Sequence, residues 1–169
     1  MTEPKDVLLE NLKETLKGAE RYFLSGSVSA LFILLLAARG QLAAGAEEQE
    51  VKVPIAGLSA PTFGAALIAL AIYILSGWMI FSSVKHVRQI KGEFLRLGEE
   101  NLLNAALTYP SMLKSWLIVC CVAALGTLAM TASFYVSEGL QKAVITGLLA
   151  SHPYLIVAIW LGRSPIGTK

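Results

Sequence analysis

Between residues 53 and 84 the chain contains no Asp, Glu, Lys or Arg. A gap of thirty-two residues without a charge excludes an ordinary solvated surface there. Charge is scarce throughout, at 15% of residues, where soluble chains average about 25%. Cysteine is almost missing. The two present, Cys120 and Cys121, are adjacent inside an apolar run. A vicinal pair is strained as a disulfide, and its spacing is not the CxxC of a redox or zinc site, so both read as small packing residues. Histidine is limited to His86 and His152. Residues 22–38, 61–83, 115–137 and 143–162 contain no acid and no Lys or Arg, which removes the usual equipment of proton-coupled carriers. No P-loop, HExxH or GxSxG sequence is present, so the chain is expected not to be an enzyme. No cofactor is called for by these motifs. A net charge of +2 gives no reason to expect nucleic acid as a partner.

What is present is long apolar helix. Residues 61–83 would make a helix about 34 Å long, enough to cross a hydrocarbon core of about 30 Å. In lipid every backbone polar group must be satisfied internally, which a helix achieves. The fold expected is an all-α integral membrane protein, one domain over residues 1–169. Four transmembrane helices lie at 22–38, 61–83, 115–137 and 143–162, with helical extensions on the cytoplasmic side.

Residues 1–21 are charged and helix-prone. Leu9, Leu12, Leu16, Ala19 and Phe23 recur every three or four positions and share one face. They form either an amphipathic helix on a membrane or partner, or a solvated extension of the first span; the extension is the simpler expectation. Ala44, Gly45 and Ala46 resemble a signal-peptide cleavage site, but the preceding stretch holds five acids, so an uncleaved helix is expected. Residues 39–60 form an external loop. In it residues 51–55 are expected to be extended or interfacial, and residues 57–61 to turn into the second span. Residues 84–114 form a cytoplasmic loop. Val87, Ile90, Phe94 and Leu97 continue the helical spacing before Gly98 stops it, and residues 99–108 suggest a further short helix. Residues 138–142 connect spans three and four as an external turn, too short for anything but a hairpin. Residues 163–169 are a tail.

Charge sets the expected orientation. Eleven Lys and Arg fall in the N-terminal segment, the 84–114 loop and the tail, against Arg39, Lys52 and Lys142 on the other side. The positive-inside rule then puts both termini in the cytoplasm (N-in, C-in), in the plasma membrane, or the inner membrane of a prokaryote. Trp78, Trp116 and Trp160 fall at the same ends, where indoles anchor at interfaces.

Three sets of residues are candidates for function. Small residues stand four apart in every span: Ser25 with Ser29, Gly26 with Ala30, Ala65 with Ala69, Ala123 with Thr127 and Thr131, and Gly147 with Ser151. Such steps let helices approach closely in lipid. They point to a protein that works by helix association with the bilayer around it, as a homo-oligomer or an accessory subunit beside another membrane subunit. Glu47, Glu48 and Glu50 in the external loop could attract cations to the mouth of a small oligomeric pore, the alternative reading. His152 is the one ionisable group inside a span. Pro153 cannot donate to the carbonyl of Leu149, so the imidazole can take that acceptor. Alternatively it hydrogen-bonds a neighbouring helix, the simplest role, or serves as a haem or metal ligand, a quinone contact or a proton relay. The four-helix layout itself is shared by many unrelated membrane proteins and singles out no family.

Overall fold

The computed structural model describes residues 4–42, 49–107 and 116–163. Five helices and one small sheet follow in the order α1 (Pro4–Ala38), β1 (Glu50–Lys52), β2 (Ser59–Pro61), α2 (Thr62–Arg96), α3 (Glu100–Leu107), α4 (Trp116–Glu138) and α5 (Leu140–Arg163). α1, α2, α4 and α5 are long and apolar enough to cross a membrane.

The four long helices form a closed ring of neighbours. α1 packs on α2 and α4, and α5 packs on α2 and α4. Each sequential hairpin is antiparallel. In α1–α2, Gly26 lies against Ser76 while Ile33 shares a cluster with Ala69. In α4–α5, Gly147 lies against Thr127 and Thr131. The two hairpins then dock with like directions side by side, Tyr73 of α2 beside Ser151 of α5 and Phe81 beside Trp160. One end of the bundle therefore carries the β-hairpin and the α4–α5 turn. The other carries the start of α1, α3, the start of α4 and the end of α5; we call these the hairpin end and the terminal end.

From Pro4 onward the charged N-terminal segment and the first apolar run form one continuous helix, α1. α1 and α2 have 35 residues each, about 52 Å at 1.5 Å per residue, whereas α4 and α5 have 23 and 24, about 35 Å. The α1–α2 pair therefore overshoots the other two at the terminal end. Its extra length is held by an apolar seam, in which Leu12, Leu16 and Ala19 are buried with Val84, Val87, Ile90 and Phe94. Leu103 and Leu107 of α3 complete that seam. The apolar face of residues 9–23 thus packs against α2.

α2 ends as its sequence suggests. Gly98 adopts φ 71°, and its N–H and that of Glu99 bond the carbonyls of Leu95 and Phe94 at 3.2 and 3.1 Å. This is a Schellman closure, which requires a left-handed residue after the helix. Replacing Gly98 by Ala should cost about 1 kcal/mol and show as faster amide exchange over the last turn of α2; unchanged exchange would contradict this assignment.

At the hairpin end, residues 51–55 are partly extended. Glu50, Val51 and Lys52 pair antiparallel with Pro61, Ala60 and Ser59. Thr62, buried at the start of α2, ties the hairpin down by donating to the Gln49 carbonyl at 2.9 Å. The expected turn over 138–142 is tighter than its length suggested. Gly139 alone, at φ 77°, separates α4 from α5, and its carbonyl accepts the N–H of Ala143 at 3.1 Å. Left-handed glycine reverses the chain without a loop.

Candidate functional site

The centre of the bundle is polar and full. Tyr73 of α2 and Tyr154 of α5 are both completely buried, and their rings stack with centroids 4.7 Å apart. Each phenol crosses the bundle. The Tyr73 hydroxyl donates to Ser151 Oγ at 3.0 Å, with the Val122 carbonyl of α4 at 3.4 Å. Thr127 Oγ1 lies 3.1 Å from the same Ser151 Oγ and bonds the Ala123 carbonyl at 2.9 Å. Tyr154 donates its hydroxyl to the backbone carbonyl of Tyr73 at 3.0 Å. Two large aromatics fit among four helices because glycines make room. A Cβ on Gly126 would overlap the Tyr73 ring and hydroxyl, and one on Gly26 would overlap the Tyr154 hydroxyl. One on Gly77 would sit 2.7 Å from the Tyr154 ring. Aromatic stacking and buried hydrogen bonds both gain strength where water is excluded.

A second cluster lies outside this knot, on the seam between α2 and α5. Pro153 is buried inside α5, and Nδ1 of His152 lies 3.0 Å from the Leu149 carbonyl that the proline leaves without its usual donor. The expected bond is therefore present, but it is made within α5; it is not the helix-to-helix bond of the simplest reading. The imidazole packs against the edge of Trp78, centroids 5.2 Å apart, and Trp78 against Phe81 at 5.8 Å. His86 lies elsewhere, exposed in an open groove between α1 and α2 with Glu14 and Tyr22.

Nearer the terminal end, Arg88 of α2 donates to the carbonyl of Trp160 at 2.9 Å and stands 4.9 Å from the centre of its indole ring. Carbonyls in the last turn of a helix have no internal partner, and a cation there also meets the negative end of the helix dipole. Arg88→Gln should lower bundle stability by about 1–2 kcal/mol, the loss of a charged hydrogen bond and a cation–π contact. Arg88→Lys should recover only part of it. Equal stability of all three proteins in a detergent-unfolding titration would remove Arg88 from this role.

The small-residue steps are placed by the structure inside the chain's own bundle. Gly26, Ser29, Ala30, Ala65, Ala69, Ala123, Gly147 and Ser151 are buried, and Ser25, Thr127 and Thr131 half-buried. A Cβ on Gly147 would lie 2.7 Å from the Thr127 carbonyl of α4. Of the three loop acids, Glu50 is exposed on β1, while Glu47 and Glu48 lie outside the described residues. So do residues 44–46 of the suggested cleavage site, as does the side chain of Trp116. Cys120 is half-buried and Cys121 exposed, both as free thiols. The described residues contain no group of three or more His, Cys, Asp or Glu placed to hold a metal ion.

Sequence reasoning missed Tyr73 and Tyr154. Their signal was depth. Both stand in the middle of apolar runs, away from the ends where interfacial aromatics belong. No family model, curated protein or solved structure matches the chain.

Proposed function

We propose that the chain is a non-enzymatic membrane protein of four spans, both termini in the cytoplasm, that serves as an accessory subunit docking a partner. The membrane is the plasma membrane, or the inner membrane of a prokaryote. The observation that carries this reading is the overshoot of the α1–α2 pair. With α4 and α5 matched to a hydrocarbon core of about 30 Å, a packed helical pair projects about 15–20 Å beyond it. Its buried seam keeps the pair rigid, while Asp6, Glu10, Lys13, Glu14 and Lys17 stand exposed along α1. That outer face is a ladder of mixed sign, acidic at Asp6 and Glu10 and alternating from Lys13 to Lys17, suited to a charged helix of a partner. Lys85, Arg88, Lys91 and Arg96 on α2 support a cytoplasmic location for the pair by the positive-inside rule.

The small-residue faces lend less to self-association than their spacing promised, because one chain already uses them. The pore reading also draws little support, since Tyr73 and Tyr154 fill the axis of a single bundle and the hydroxyls of Thr127 and Ser151 are bonded to each other or to backbone. The test is native mass spectrometry of the protein extracted from its source membrane in lipid nanodiscs. Charge reversal at Glu10, Lys13, Glu14 and Lys17 together should release a stoichiometric partner without altering helix content. A lone chain in both samples would defeat the proposal, and a homo-oligomer unaffected by the reversal would defeat its choice of surface.

A further inference from the structure

His152 sits on the wrong side of its helix for a buried structural histidine. His152 itself is half-buried, and its neighbours along the same face of α5, Ile145, Leu148, Leu149 and Ile159, are all exposed. Of the residues packed into the bundle, Tyr154 lies on the opposite face and Ser151 about 100° round the helix. An ionisable side chain in a membrane span ordinarily faces the bundle interior or a water-filled cavity. This one is half-buried against Trp78 on the outward side of α5, at the level of the Tyr73–Ser151 bond in the middle of the spans, and its open side meets the acyl chains.

The hydrogen bond to Leu149 fixes what the ring presents. A backbone carbonyl only accepts, so Nδ1 carries the proton at 3.0 Å. The neutral ring therefore holds a lone pair on Nε2, and that nitrogen has no hydrogen-bond donor among the described residues. Lipid tails offer none, and water is excluded at that depth. A good acceptor oriented by a second hydrogen bond is the arrangement in which a histidine is set to receive a ligand. Beside it lie two aromatic rings, Trp78 edge-on to the imidazole and Phe81 edge-on to Trp78. Trp78 is itself 43% exposed, so a flat ring arriving from the bilayer finds an apolar, aromatic surface next to an acceptor.

We infer that the His152–Trp78 patch on the α2–α5 seam binds a lipid-soluble aromatic hydroxyl compound of the hydroquinone class. The hydroxyl donates to Nε2 and the ring lies on Trp78. Three properties select the class: a donor, a planar ring, and solubility in the acyl region, from which the patch opens without a channel. The assignment is of binding alone, with no bond made or broken and no electron moved. It rests on the membrane placement proposed above and is independent of the docking role of α1–α2.

Decylubiquinol, its dimethyl ether and His152→Phe separate the possibilities. The ether keeps ring and tail but has no proton to donate. Phenylalanine keeps a ring against Trp78 but has no lone pair. Equilibrium binding to the full chain in phosphatidylcholine nanodiscs, corrected for partition into empty discs, should saturate near one quinol per chain. Ether and variant should each weaken binding about tenfold, the loss of one buried hydrogen bond. Thermal unfolding of the variant checks that it is folded, and the ether arm needs no variant at all. Equal retention of quinol and ether by the natural chain overturns the inference. So does unchanged quinol binding by a folded His152→Phe protein. A dimer that the phenylalanine variant alone dissociates, with no quinol retained, would put a second copy at Nε2 and overturn it as well.

Discussion

Gly126→Ala should be among the most damaging single-methyl additions available in this protein, costing about 3 kcal/mol or more and lowering the yield of folded chain. Overpacking a tight core usually costs about 1–3 kcal/mol, because neighbours shift off their preferred rotamers. Here the neighbour cannot shift. The added carbon would fall on the Tyr73 ring and hydroxyl, and that phenol is clamped by Tyr154 on one face and by Ser151 at its tip. α4 would have to move away from α2, carrying its packing on α5 with it. The proof lies in the double substitution. Tyr73→Leu removes the obstructing atoms, so Gly126→Ala should cost little in that background, and the coupling between the sites should exceed about 1 kcal/mol. Additive losses in a bicelle unfolding assay would mean that the contact is not what makes Gly126 necessary.

Tyr154→Ala should be comparably severe, with a loss of about 3–5 kcal/mol, the range for emptying a large aromatic site. If the helices lie in lipid as proposed, separating them carries no hydrophobic penalty, so the loss comes from dispersion contacts and the space left between α1, α2 and α5. Tyr154→Phe separates the two contributions. It keeps the stack on Tyr73 and the ring's fit against Gly77, and removes the hydroxyl that lies against Gly26 and donates to the Tyr73 carbonyl. That carbonyl remains the acceptor of its own helix, so the phenylalanine protein should lose only about 1 kcal/mol. If alanine and phenylalanine fall equally, the hydroxyl and not the ring holds the helices together. Gly26→Leu and Gly147→Leu, natural choices for testing self-association, should instead disrupt one chain's own packing, against Tyr154 and the Thr127 backbone respectively. A question about oligomers is better put to outward residues such as Leu75 or Leu149.

The four long helices were legible because each carries a charge-free run that only one kind of secondary structure can hide. Their ends were legible where a single residue decides them, as at Gly98. The 3–4 spacing of Leu12, Leu16, Ala19 and Phe23 announced a buried face, yet not its partner. A periodic pattern shows that a face must be covered, while the covering helix, α2, begins about forty residues later. The steps of small residues lie buried or half-buried within one chain's own bundle, Gly147 against the Thr127 carbonyl among them. Spacing along one helix cannot tell whether the neighbour belongs to the same chain. The bond from His152 to Leu149 was visible in sequence, since Pro153 removes a donor at a fixed offset. The outward direction of His152 was not, because it depends on where α2 and α4 sit around α5. Tyr73 and Tyr154 are 81 positions apart in the chain, and nothing local ties them together.

Two rods of about 52 Å pinned near their middles behave as a lever. Tyr154 touches α1 at Gly26 and α2 at Gly77, so the knot lies on both long helices at about the same height. Their stiff seam carries force to either side of it. A tilt of about 10° about that pivot would swing the tips by about 3–6 Å, in opposite directions. The β-hairpin, held to the head of α2 by Thr62 and Gln49, would move with the near arm. A load placed on the projecting tips would thus reach the far side of the bundle as displacement, with no need for any helix to slide, bend or unwind.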